Sequence, residues 1–162
     1  MALPFILRSR VLILRSKVSG VSARVLERFA ARAQRAAGVR GEVDVLITSG
    51  AHVRRLNRLF RGKNTVTDVL SFPSTDGTAG DIAISAEIAA RNALRLGHST
   101  IDEIQILLLH GLLHLAGYDH GSDAGAMARK EARLRRAFGL PTALIERTTA
   151  DGMRRPVKRR RS

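Results

Sequence analysis

The spacing of apolar residues divides the chain into short strands near its start and helices in its second half. Apolar runs bounded by glycine, proline or polar residues predict strands within residues 5–14, 43–47, 68–72 and 81–84. Apolar residues that recur every three or four positions predict helices at residues 22–37, 51–60, 85–96, 101–116 and 122–138. We therefore expect an α+β fold, with a small mixed four-stranded sheet packed with about five helices.

Local residue types refine the ends and faces of these elements. Ser22 is a typical N-cap residue for the first helix. Residues 74–80 are rich in Ser, Thr, Asp and Gly, so a tight connection there would pair its two flanking strands antiparallel. In the second helix, the spacing of Val53, Leu56 and Phe60 predicts that all three side chains face inward.

Chain length and cysteine content limit the domain organisation. A chain of 162 residues suffices for one domain with a buried core and is too short for two. We expect a single domain over residues 1–147 and a basic, disordered tail over 148–162, which lacks apolar periodicity. The apolar run 104–116 is too short for a membrane span and indicates a buried helix. The absence of cysteine excludes disulfides and cysteine-ligated zinc, and fits the cytoplasmic location that we expect.

The charge balance predicts a polyanionic partner. The chain has 28 Lys+Arg against 14 Asp+Glu, a formal net charge of +14. Aromatic residues make up only 4%, which favours nucleic acid over a membrane surface, because membrane binding usually uses an aromatic-bearing amphipathic face. Six cations near the C-terminus are predicted to contact nucleic-acid phosphates: Arg154, Arg155, Lys158, Arg159, Arg160 and Arg161.

Three histidines at spacings of four and six residues predict a metal site. On a helix, His110 and His114 lie on the same face and can present two imidazoles to one ion. Gly117 is suited to end the helix, because glycine readily adopts a left-handed conformation. The chain can then turn and bring His120 back as a third ligand. Three protein ligands leave one tetrahedral position open, the arrangement of a catalytic zinc.

The same spacing reproduces the metzincin protease pattern H-E-x-x-H-x-x-G-x-x-H except at one position. Gly111 replaces the glutamate that serves those proteases as general base. A metalloprotease therefore stays possible on ligand spacing but is disfavoured by Gly111 and by the basic charge. A non-catalytic factor with a structural metal is a second alternative, because a sequence does not reveal an open coordination position.

Ordered motifs outside the histidine segment complete a family pattern. They are Leu56-Asn57-x-x-Phe60-Arg61-Gly62-Lys63, Thr67-Asp68-Val69-Leu70-Ser71-Phe72-Pro73, Gly80-Asp81-Ile82-x-Ile84-Ser85 and Met127-x-x-x-Glu131. With the histidine segment, these motifs make the chain over residues 40–135 resemble the YbeY family.

The resemblance implies a zinc-dependent endoribonuclease specific for single strands. Members of the family mature ribosomal RNA, notably the 3′ end of the small-subunit species, and take part in ribosome quality control. The implied cofactor is one Zn²⁺ per chain, and the implied partners are ribosomal RNA and the small ribosomal subunit, without a membrane. Carried over to this chain, the metal ligands are His110, His114 and His120, and the functional arginine is Arg61.

Individual residues are expected to divide the chemistry as follows. Arg61 would hold a nonbridging phosphate oxygen, although an arginine at this position could also be a surface residue at a helix end. Lys63 would add an RNA contact beside it. His114 is expected to be catalytic as the central ligand, and Asp119 either orients an imidazole or forms a turn. The missing side chain at Gly111 is expected to clear space and negative charge beside the phosphate.

Overall fold

A computed structural model describes the backbone of residues 9–13 and the full structure of residues 21–142. Within these ranges the chain forms four strands and five helices. In chain order they are β1 (Ser9–Ile13), α1 (Ala23–Ala37), β2 (Val43–Thr48), α2 (Gly50–Arg61), β3 (Val69–Pro73), β4 (Gly80–Ser85), α3 (Ala86–Leu96), α4 (Thr100–Leu115) and α5 (Ala126–Ala137). The predicted tail 148–162, with its six cations, lies outside the described residues.

The strands form one mixed sheet in the order β1-β2-β4-β3. β1 pairs with β2, and β2 with β4, in parallel, whereas β3 pairs antiparallel with β4. The structure thus confirms the α+β class, the five helices and the antiparallel hairpin predicted from the turn-rich segment 74–80. β3 lies at the edge of the sheet, so one side of its backbone is free for other contacts.

Serine side chains start three of the helices. Ser49, Ser85 and Ser99 each accept a hydrogen bond from the backbone N–H three residues further on. Ser22 occupies the N-cap position of α1 as predicted, but its side chain makes no cap hydrogen bond. The caps on α2, α3 and α4 fix where these helices leave the sheet.

The two faces of the sheet are covered unequally. The larger core joins one face to α1, α3, α4 and α5, and residues 106–109 of α4 are almost completely inaccessible to solvent. α4 is therefore a buried helix, as its apolar run predicts. Among the helices of the described residues, none is both long enough and apolar enough to cross a membrane.

In the part of the chain that the structure describes, α2 covers the second face, and here one prediction is wrong. Val53 packs with Leu70 and Ala83, and Leu56 is partly buried, but Phe60 is 68% exposed. Phe60 lies two turns after Val53 on the same side of α2. However, the last turn of α2 lies at the edge strand β3, where the ring of Phe60 lies 5.2 Å from that of Phe72 at the sheet border.

Candidate metal centre

The end of α4 brings the three histidines together. His110 and His114 lie in the last two turns of the helix, which ends at Leu115. Gly117 follows with φ +94, a conformation that costs glycine little, and its N–H bonds the carbonyl of His114. The chain then returns His120 to the helix, so that one nitrogen from each imidazole lies within 4.8 Å of the others. The predicted convergence is therefore present.

The geometry of the pair on α4 fits a divalent metal. The Nε2 atoms of His110 and His114 are 3.2 Å apart. Two nitrogens at about 2.0–2.1 Å from a tetrahedral zinc would be separated by roughly 3.3 Å. The negative end of the α4 dipole also favours a cation at this position. His120 is exposed and lies on a loop, so it closes the site from the solvent side.

Hydrogen bonds on the far side of both rings fix their tautomers. Nδ1 of His110 lies 2.8 Å from Oε2 of Glu131, and Nδ1 of His114 lies 3.1 Å from the carbonyl oxygen of Tyr118. Because a carboxylate and a carbonyl only accept, each neutral ring carries its proton on Nδ1. The two Nε2 lone pairs then face each other, an unfavourable contact that a cation between them would remove.

The surroundings of His114 keep its imidazole neutral. Burial lowers the pKa of His114 below its ordinary value, and the neighbouring His110 and His120 lower it further. A neutral imidazole is the form that binds a metal. Burial and clustering therefore prepare this ring as a ligand.

Glu131, which the sequence analysis placed in a family motif, has a contact with the histidine cluster that sequence reasoning missed. It lies on α5, is 8% exposed, and bonds both His110 and Arg135. Its partner His110 is 21 residues away in sequence, so local spacing does not connect the two. A signal was nevertheless present, because Glu131 follows the buried Met127 by one helical turn and thus places a carboxylate on the buried face of α5.

The structure favours the turn-forming alternative for Asp119. Its carboxylate accepts hydrogen bonds from the backbone N–H of Gly121 and from the hydroxyl of Ser122. These bonds shape the loop that carries His120, whereas the carboxylate that contacts a histidine of the cluster is that of Glu131. Asp119 therefore acts on the site through the loop.

Arg61 lies at the end of α2 and reaches the edge strand. Its Nη2 donates to the carbonyl oxygen of Ser71 at 2.9 Å, and the Ser71 hydroxyl lies 3.2 Å from the carbonyl oxygen of Gly111. Since Gly111 follows His110, these two bonds link Arg61 to the helix that carries the metal ligands. Lys63 is exposed just beyond the end of α2. Arg61 thus contacts the edge of β3, and Lys63 follows it at the protein surface.

The expectation that the missing side chain at Gly111 leaves space beside the phosphate is wrong. A Cβ atom at this position would lie 2.9 Å from Cγ2 of Ile82 and 3.0 Å from the hydroxyl of Ser71. Both distances are shorter than ordinary van der Waals contact, so the missing side chain lets α4 approach β3 and β4 closely. Gly111 is needed for packing against the sheet, and the space it leaves is not open to a phosphate.

Comparison with known proteins agrees with this arrangement. Residues 8–139 match the family described as Endoribonuclease YbeY. A curated relative of that name from Koribacter versatilis is 52% identical over 93% of this chain and 100% of its own length. One from Helicobacter pylori is 46% identical over 65% of this chain and 78% of its own.

A solved structure supports the same assignment at the level of the fold. The solution structure of TM1509 from Thermotoga maritima is similar with a TM-score of 0.59 and 27% sequence identity, and covers 81% of this chain and 89% of its own. The family match, the two relatives and the convergent histidines are consistent with one another, and the chain belongs to the YbeY family.

Proposed function

We propose that the protein is a zinc-dependent endoribonuclease that cuts single-stranded RNA during maturation of the 3′ end of small-subunit ribosomal RNA. The observation that carries this proposal is the convergence of three imidazoles, two of which direct their Nε2 lone pairs at one point. Arg61 of α2 contacts the edge strand β3, which packs against the helix of His110 and His114. The relatives described as endoribonucleases supply the reaction class.

Each residue of the site has a defined part in the proposal. His110, His114 and His120 would hold one zinc ion in a zincin-like geometry. The ring nearest both others is that of His110, not the expected His114, with centroid distances of 4.8 Å to His114 and 5.0 Å to His120. When bound, such an ion acidifies water and polarises a phosphoryl oxygen. Glu131 would hold the ring of His110 in place.

Arg61 and Lys63 would supply positive charge to the substrate. The guanidinium of Arg61 would bind a nonbridging oxygen of the scissile phosphate and stabilise the charge that develops there. Its single described hydrogen bond, to Ser71, leaves other N–H groups for a phosphate. Lys63 would neutralise a neighbouring phosphate.

Two structural features disfavour the protease alternative. A glutamate at position 111, where the metzincin general base would be, has no room because Ile82 and Ser71 already approach the backbone. In addition, a peptide substrate would pair with the free edge of β3, but Arg61 already donates to the Ser71 carbonyl on that edge. Cleavage of RNA requires neither a glutamate at position 111 nor a free edge of β3.

Metal analysis and cleavage assays of the same purified protein test the proposal. We expect about one zinc per chain, cleavage of a single-stranded RNA, and no cleavage of the matching duplex or of casein. His114→Ala should lose both metal and cleavage, whereas His52→Ala, which alters a histidine bonded to Thr48 away from the site, should retain both.

Arg61 is tested separately from the metal. Arg61→Leu should keep its zinc and lose roughly 10²-fold or more in cleavage rate, the scale of removing one transition-state donor. Arg28→Leu, at an exposed position of α1 on the other face of the sheet, serves as the control. Casein cleavage would indicate the protease, and full zinc content without RNA cleavage would indicate the non-catalytic assembly factor.

The proposal also includes the parts of the protein that lie outside the described residues. We propose a catalytic domain over residues 1–147 in the cytoplasm, with ribosomal RNA of the small subunit as partner. The tail 148–162 would contribute phosphate contacts through Arg154, Arg155, Lys158, Arg159, Arg160 and Arg161.

A further inference from the structure

The last turn of α2 exposes an aromatic ring. Phe60 is 68% accessible to solvent, and its ring centroid lies 5.2 Å from that of Phe72, with the planes inclined by 56°. Because the rings are tilted and not parallel, Phe72 supports Phe60 without covering its face. An exposed apolar ring is unfavourable in water, so a ligand that covers it gains free energy.

The ring borders a groove along the edge of the sheet. The groove has a volume of about 480 Å³ and is lined by Phe60, Arg61, Ser71, Phe72, Pro73, Ser74, Thr75 and Asp81. Ser71, which lines the groove, also donates to the Gly111 carbonyl, so one residue of the groove contacts the helix that carries His110 and His114.

Charge around the groove is divided between its two sides. The α2 side carries five exposed cations in and just after the helix, Arg54, Arg55, Arg58, Arg61 and Lys63, and α2 itself has no acidic residue. The other side carries the carboxylate of Asp81. A polyanionic backbone is therefore attracted to the α2 side and repelled from the β4 side.

We propose that Phe60, supported by Phe72, stacks against an unpaired base of the RNA substrate, next to the phosphate held by Arg61. The inference rests on the proposed function and identifies what its substrate must offer. A base in a duplex is stacked on both faces, so only an unpaired nucleotide can present a face to this ring. The stacked base would thus give the enzyme its preference for single strands.

Affinity for a short, fluorescently labelled single-stranded RNA tests the role of the ring. Anisotropy at low temperature, with intact RNA verified on a gel, measures binding apart from cleavage. Phe60→Ala and Phe60→Leu should each weaken binding by roughly 5- to 150-fold, and Phe60→Tyr should restore it. Leu59→Ala is the matched control, because Leu59 is 62% exposed on the adjacent position of α2 and should have little effect.

Single abasic nucleotides placed in turn along the same RNA locate the stacked base. In the unmodified protein, one position should lose affinity by a similar factor, and in Phe60→Ala that position should cause no further loss. A persisting additional loss in the variant would overturn the proposal, because the base would then be read elsewhere.

A spectroscopic reporter separates stacking from general apolar contact. The chain contains no tryptophan, so F60W and L59W each introduce a single emitting indole. RNA should quench the emission of F60W much more than that of L59W, and duplex RNA should quench neither. Equal quenching of both variants would contradict stacking at residue 60.

The outcomes also distinguish this inference from the proposed function. If the protein cleaves RNA but Phe60→Ala binds it unchanged, the stacking inference is wrong and the endoribonuclease assignment stands. The exposed ring would then be a contact for a protein partner. If the unmodified protein and the Phe60→Ala variant both fail to cleave and to bind RNA, both proposals are wrong.

Discussion

At the scale of single residues, the convergence of the three histidines was predictable and the carboxylate that contacts one of them was not. The spacing of His110, His114 and His120 is local, since helix geometry and one glycine suffice to bring them together. Glu131 arrives from α5, and only the packing of α5 against α4 places it beside His110. A sequence pattern shows a buried-face carboxylate but does not name its partner.

Glu131→Gln is expected to weaken zinc binding about 10- to 100-fold, the usual cost of removing an outer-shell carboxylate. The amide keeps the shape of the side chain but loses the charge that orients and polarises His110. Competition with a chelating dye measures the affinity, and Glu42→Gln, at an exposed position, is the control. Unchanged zinc affinity would show that Glu131 contributes only through its contact with Arg135 and the stability of the fold.

At the scale of elements, strand and helix positions follow from the sequence because their signals are short-range. The runs at 43–47, 68–72 and 81–84 appear as β2, β3 and β4 within one residue at most of their ends. The exposure of Phe60 and the close packing of Gly111 against the sheet could not be predicted in this way. Both depend on where the sheet ends and how closely α4 approaches it, which are tertiary properties.

The close approach of α4 to the sheet predicts a large cost for one added methyl group. Gly111→Ala should destabilise the metal-free protein by about 1–3 kcal/mol, because Ile82 and Ser71 must move. Urea unfolding measures this change. Gly121→Ala is the matched control, since a Cβ there meets only the Asp119 carboxylate at 3.7 Å and its φ is not in the left-handed region. Equal stability of the two variants would contradict tight packing at residue 111.

Two aspartates around the β3–β4 turn are expected to affect stability in opposite directions. Burial raises the pKa of Asp81, and the charges of Asp44 and Asp76 raise it further. Hydrogen bonds from the side chains of Ser74 and Thr78, with the Thr78 backbone, lower the pKa of Asp76 to about 2. Stability linked to Asp81 is therefore present below its unfolded pKa and is lost as pH rises through its folded pKa. Stability linked to Asp76 is present above its unfolded pKa and is lost as pH falls toward 2.

Thermal unfolding at neutral pH should thus distinguish the two carboxylates. Asp81→Asn should raise Tm by about 1–4 °C, because it removes like-charge repulsion across the strands. Asp76→Asn should lower Tm, because it removes acceptors for the turn. The Asp81 effect should shrink as pH falls toward 4, because the raised pKa lets its carboxyl protonate there, whereas the Asp76 effect should persist at pH 4 and shrink only toward pH 2. A lower Tm for Asp81→Asn at neutral pH would show that its charge stabilises the sheet.

At the scale of the whole molecule, two of the groups of cations along the chain have different expected roles. The cations of α2 lie on one helix, with Arg61 lining the groove and Arg54, Arg55 and Arg58 lining a second surface recess, so they can determine where a phosphate lies. The six cations after residue 153 belong to a segment outside the described residues, and their spacing shows no pattern that would read a sequence. Composition alone predicts a polyanionic partner. The structure shows in addition which cations are held on α2, where they can position a phosphate.

Removal of residues 154–162 should weaken RNA binding and reduce its dependence on salt. Each neutralised phosphate of a single strand contributes roughly 0.7 to the slope of log affinity against log salt, so six contacts would contribute about 4 at most. We expect a decrease in slope between about 1 and 4. Zinc content should stay unchanged because the histidines lie in and after α4. A chain with all six cations replaced by glutamine should behave like the truncation, since the effect depends on charge and not on length. An unchanged slope in both variants would mean that RNA affinity resides in the folded domain, with the cations of α2 as its main source.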